Sequence, residues 1–87
     1  EVRHCIMVKP GESGEVRYVA SHPIPLEKHR EFLEREFPGY QPIPLADTGL
    51  AAEQLSASVL PPHTAVIAMK RAADLFGLSV IRTALPK

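Results

Sequence analysis

The chain has 87 residues, 45% of them hydrophobic, and its ten basic and ten acidic residues give a formal net charge of zero. This length fits one domain over residues 1–87. The neutral balance argues against a protein that holds nucleic acid or a membrane surface mainly by bulk charge. A single cysteine excludes an internal disulfide, and no apolar run is long enough to span a bilayer. We expect a cytoplasmic protein with no membrane association, and a chain that is trimmed or part of a longer one.

The first 22 residues are predicted to form an antiparallel β-hairpin. Val2 to Lys9 and Glu15 to Ser21 are rich in β-branched and other apolar residues, and the segment between them, residues 10–14, has the composition of a turn. If Lys9 faces Glu15, the alternation of side chains along a strand places Ile6, Val8 and Tyr18 on the core face.

The opposite face of this hairpin is predicted to stay open. It combines a small apolar strip with basic side chains, which is typical of a partner-binding surface. A lightly apolar sheet exterior is the alternative, because much of any folded surface is apolar. The predicted binding residues are Arg3, Cys5, Met7, Lys9, Arg17 and Val19, together with Tyr40 in a later proline-rich loop.

Three helices are predicted after the hairpin, separated by prolines. Pro25 suits the first position of a helix over Leu26 to Phe37. Asp47 is a plausible N-cap for a second helix from about Thr48 to Val59. The third helix begins after Thr64 as its cap and ends at Phe76, since its apolar residues recur at helical spacing.

A final strand and the fold class follow from the end of the chain. Gly77 is placed to terminate the third helix, and Leu78 to Leu85 is predicted to be a strand. The order β-β-α-α-α-β predicts a two-layer α+β domain. The N-terminal hairpin and the C-terminal strand would form one small sheet, with the helices on one face only. Water or a partner would then have to cover the other face.

Catalytic and metal sites are poorly supported by the spacing of the reactive residues. Cys5 follows His4 directly, and adjacent strand residues point to opposite faces, so His4 is badly placed as a base for Cys5. His4 and His22 could share a face, but two histidines with no carboxylate or thiol nearby leave a metal site incomplete. We therefore predict no catalytic residue, no metal and no cofactor.

The function predicted from the sequence is that of a small non-catalytic domain, either regulatory or for protein interaction. It would bind a protein partner, or a second copy of itself as a homodimer, through the open sheet face. A nucleic-acid-binding module using Arg3, Lys9 and Arg17 is one alternative, although exposed rings for base stacking are scarce. A small enzyme with a cysteine or histidine site is the other.

Overall fold

Five strands and four helices form within residues 4–11, 15–46 and 48–83, the part of the chain that the computed structural model describes. The strands are β1 (His4–Val8), β2 (Tyr18–Ser21), β3 (Gln41–Pro44), β4 (Thr64–Met69) and β5 (Ser79–Arg82). The helices are α1 (Pro23–Lys28), α2 (Arg30–Glu36), α3 (Thr48–Ser56) and α4 (Lys70–Phe76). The predicted α+β class is confirmed. None of the described helices has the length and apolar character needed to cross a bilayer.

The sheet is mixed, and its strand order is β3-β2-β4-β1-β5. Strand β2 runs parallel to both β3 and β4, whereas β1 is antiparallel to both β4 and β5. The predicted N-terminal hairpin is therefore wrong, because β4 lies between β1 and β2. The physical reason is that β4 is apolar on both of its faces, and such a strand is most stable at the centre of a sheet.

Helices cover both faces of the sheet, so the domain has three layers and not the predicted two. On one side, Cys5 and Met7 of β1 pack with residues of α3 and α4, such as Leu55 and Ala72. On the other side, Ile6 and Val8 pack with Leu26 of α1 and Leu33 of α2. Alternate residues of one strand thus supply two separate hydrophobic cores.

The predicted third helix is half wrong. Residues Thr64–Met69 form β4, and only Lys70–Phe76 are helical. The segment from Thr64 to Ala68 is buried without interruption, which is the pattern of a central strand and not of a helix with one apolar face. Gly77 ends α4 with φ of 68°, the left-handed conformation expected of it.

The other predicted elements are partly confirmed. The first helix is broken at His29 into α1 and α2, while α3 agrees with the second predicted helix and β5 with the final strand. Asp47, the predicted N-cap of the second helix, and residues 84–85 of the predicted final strand lie outside the described residues.

Strand β3 replaces the predicted proline-rich loop and forms one edge of the sheet. The backbone N–H of Gln41 donates to the carbonyl of Arg17, and that of Leu45 donates to the carbonyl of Ser21. The backbone groups of the odd-numbered residues in this segment therefore point toward β2, and those of Pro42 and Pro44 point away from it. Proline is tolerated there because an edge strand needs no donor on its outer side.

Candidate functional site

The open sheet face predicted from the sequence does not exist in the described structure. Cys5, Met7 and Val19 are at most 3% exposed. Cys5 and Met7 lie beneath α3 and α4, whereas Val19 lies in the opposite core with α1 and α2. The prediction is wrong because the pairing of the strands, which decides what covers each face, was misassigned. Arg3 lies outside the described residues.

The remaining predicted binding residues lie outside the buried strip. Arg17 is exposed at the amino end of β2 and makes an ion pair of 3.5 Å with Glu15. Lys9 donates a hydrogen bond to the hydroxyl of Ser58. Tyr40 is half-buried, and burial, with a smaller contribution from the charge of Glu34, raises the pKa of its phenol. Lys9, Arg17 and Tyr40 all lie at the end of the sheet where β1 finishes and the parallel strands begin, away from the buried side chains of Cys5, Met7 and Val19.

A different set of polar side chains is brought together at the carboxyl ends of the parallel strands. Since β2, β3 and β4 are parallel, the residues that follow Ser21, Pro44 and Met69 emerge together where these strands end. This edge of the sheet is distinct from its two edge strands, β3 and β5. Strand β1 is antiparallel and begins at this same edge, where His4 is opposite Met69. We call this region the histidine edge, and its residues are His4, His22, His29, Met69 and Lys70.

His4 and His29 form a direct contact at this edge. The Nδ1 atom of His4 lies 3.3 Å from Nε2 of His29, and the two rings meet edge to face with centroids 5.5 Å apart. His29 is only 4% exposed and occupies the break between α1 and α2. One nitrogen of the pair must donate and the other must accept. The contact joins the start of β1 to the corner between the two helices.

Burial lowers the pKa of His4 below its ordinary value of 6.5, and the positive charge of Lys28 lowers it further. The unfolded chain therefore binds a proton at this site more readily than the folded chain does. We expect the free energy of unfolding to be highest above about pH 7.5 and to fall as the pH drops through about 6.5. Urea denaturation at a series of pH values measures this slope, and His4→Gln should reduce it. An unchanged slope in that variant would contradict the assignment to His4.

His22 follows β2 at the same end of the sheet and has a separate role. It precedes Pro23 and caps α1, because its Nδ1 accepts a hydrogen bond of 3.1 Å from the backbone N–H of Ile24. The preceding residue, Ser21, is fully buried and donates from its hydroxyl to the carbonyl of Ile67 at 2.8 Å. This bond ties the end of β2 to β4. It fixes the position from which the half-buried ring of His22 emerges.

Cationic side chains complete the edge. Lys70 begins α4 directly after β4 and is exposed, with an ion pair of 3.7 Å to Asp74, and Arg71 is exposed beside it. Within residues 4–11, 15–46 and 48–83, no three or more His, Cys, Asp or Glu side chains are grouped to hold a metal ion. The cross-strand placement of His4 and His22 considered from the sequence does not occur, because β1 and β2 are not neighbours in the sheet. The edge thus combines hydrogen-bonding rings with positive charge, which suits an anionic ligand.

The comparison with protein families identifies the chain. A model described as PDT: Prephenate dehydratase matches residues 1–86. The chain belongs to the prephenate dehydratase family. A curated relative, arogenate dehydratase 5, chloroplastic, from Arabidopsis thaliana, is 35% identical over 81 residues, which is 92% of this chain and 19% of that protein. The chain therefore spans about a fifth of this family relative.

Solved structures agree with this assignment at the level of the fold. A chain titled GqqA, a novel type of quorum quenching acylases, superposes with a TM-score of 0.88 at 26% identity, over 100% of this chain and 31% of that chain. A prephenate dehydratase from Arthrobacter aurescens, solved in complex with L-Phe, gives a TM-score of 0.84 at 19% identity, over 97% of this chain and 28% of that chain. This chain therefore spans about a third of each of these two solved chains.

Proposed function

We propose that this chain is a ligand-binding domain of a prephenate dehydratase-type protein, and that its histidine edge binds the carboxylate of a small ring-containing acid. Dehydratase activity itself belongs to the longer protein, of which this chain supplies one part. The predicted regulatory role is retained in this proposal, and the predicted use of an open sheet face is abandoned.

The observation that carries the proposal is the meeting of three parallel strands at the histidine edge. Open sheets with parallel strands bind their ligands outside the carboxyl ends of those strands, where successive loops diverge. In this chain the edge presents the rings of His4 and His22 and the ammonium group of Lys70.

The family supports a particular class of ligand. Prephenate and arogenate, which give the related proteins their names, and the L-Phe of the Arthrobacter aurescens complex share a carboxylate and a six-membered carbon ring. Hydrogen bonds from histidine and lysine to a carboxylate are charge-assisted and stronger than those between neutral groups. The exposed side chains of Met69 and Ile24 provide apolar surface at the same end of the sheet for the ring.

Nuclear magnetic resonance titration of the isotope-labelled chain tests this proposal. L-phenylalanine and prephenate are added separately, with L-phenylalaninol as a control that keeps the ring and the amine but has no carboxylate. We expect one of the two acids to give saturable shifts at His4, His22 and Lys70. L-phenylalaninol should give none. Saturation by L-phenylalanine would mean a regulatory domain that senses this amino acid, whereas saturation by prephenate would mean a part of the substrate site.

A matched pair of variants locates the binding surface. Lys70→Gln should weaken binding about two- to five-fold, the loss expected for one exposed charge. Arg17→Gln removes a positive charge from the other end of β2, and it should leave the affinity unchanged. The proposal fails if neither acid binds, or if the shifts cluster around Glu15 to Tyr18.

A further inference from the structure

The first turn of α1 has no backbone N–H left for a ligand. Pro23 and Pro25 lack this group altogether. The N–H of Ile24 donates to Nδ1 of His22, and the N–H of Leu26 donates to the carbonyl of His22 at 3.2 Å. A helix start commonly binds anions through its free N–H groups. Here every one of them is either missing or already bonded to His22.

The same bond fixes the position of the proton on the His22 ring. A nitrogen that accepts a hydrogen bond presents its lone pair, so Nδ1 carries no proton. In the neutral ring the proton must then be on Nε2, on the far side of the ring from the cap. In the described residues, 4–11, 15–46 and 48–83, Nε2 has no hydrogen-bond partner, and the ring is half-buried.

We propose that His22 binds the ligand carboxylate through Nε2–H, as a donor whose tautomer is fixed by its capping bond. This inference rests on the proposed function, since it specifies which group at the histidine edge contacts the acid. His22 thereby has two roles in one side chain. Its Nδ1 accepts the hydrogen bond that the backbone N–H of Ile24 donates. Its Nε2–H is a donor at a helix start where the two prolines have no backbone N–H.

The tautomer is measured directly by long-range proton–nitrogen correlation spectra of the chain labelled with ¹⁵N-histidine, recorded at about pH 8. We expect His22 to show a protonated Nε2 and an unprotonated Nδ1 before any ligand is added. Addition of the acid that binds should shift Nε2 and leave the nitrogen type of Nδ1 unchanged. A protonated Nδ1 would overturn the inference.

Two variants separate the capping role from the binding role. His22→Ser keeps a cap acceptor and removes the distal donor, so stability should change little and affinity for the acid should fall about ten-fold or more. His22→Gln keeps a donor at the distance of Nε2 and loses the local cap, so the urea midpoint should fall while most of the affinity remains.

The outcomes distinguish this inference from the proposal on which it depends. If the unmodified chain binds the acid and His22→Ser binds it equally well, His22 is not the donor, and the proposed function stands. If His22→Ser loses affinity and His22→Gln retains it, the inference is supported. If the unmodified chain binds neither L-phenylalanine nor prephenate, the proposed function fails and the carboxylate role of His22 fails with it.

Discussion

Met7→Glu is expected to unfold the chain at room temperature. Met7 is fully buried in the core beneath α3 and α4, where its neighbours include Leu55 and Val66. Burying an ionised carboxylate without a partner costs several kcal/mol even after the surroundings relax. A domain of this size has only about 5–15 kcal/mol of total stability. Circular dichroism and proton chemical-shift dispersion would report the loss of structure.

The control for this prediction is Met7→Leu, which conserves volume and polarity and should cost less than about 1.5 kcal/mol. A Met7→Glu chain that keeps native dispersion would mean that Met7 faces solvent, and it would restore the open sheet face. The result also bears on self-association. Because Met7 lies in the core, a change in oligomeric state after its substitution would reflect unfolding and not the loss of a contact surface.

Leu33→Ala is expected to destabilise the chain by about 2–5 kcal/mol. Helix α2 has seven residues and no side-chain cap, and Leu33 is its one buried residue in the core shared with Ile67. A helix this short has little intrinsic stability, so its position depends on tertiary packing, in which Leu33 is the fully buried contact and Phe32 is a partly buried one. Removing it also opens a cavity against the sheet. Urea denaturation followed by circular dichroism measures the change.

Glu34→Ala is the matched control, since Glu34 is the next residue on the same helix and is exposed. It should change the free energy of unfolding by about 0.5 kcal/mol or less. Equal effects of the two substitutions would mean that α2 is not packed on the sheet through Leu33. Large effects of both Met7→Glu and Leu33→Ala would support two independent cores on opposite faces.

Local signals in the sequence predicted several elements correctly. The span of α3, the stop at Gly77 and the strand that follows all depend on nearby residues, and these predictions are confirmed in the described residues. The central strand was missed for a physical reason. When both faces of a strand are buried, as in Thr64–Met69, apolar and polar residues do not alternate along it. The periodicity of its apolar residues therefore cannot distinguish such a strand from a buried helix.

The candidate site was missed as a consequence of that one error. Once β4 is assigned to a helix, β1 and β2 pair with each other, and no parallel strands exist to define a carboxyl edge. His4 and His22 were noticed in the sequence, but their shared location depends on the position of β4 between their strands. His29 carried no sequence signal, because its burial comes from the break between α1 and α2. The family assignment likewise came from comparison and not from any motif.

The two prolines of β3 limit how this chain can join to other chains. Pro42 and Pro44 occupy the positions whose backbone points away from β2. Their carbonyls are acceptors, but proline supplies no N–H, so this edge lacks the alternating donors that an incoming strand requires. Edge-to-edge aggregation and strand exchange are therefore disfavoured at β3. Any extension of the sheet by a foreign strand would have to start at the other edge, from β5.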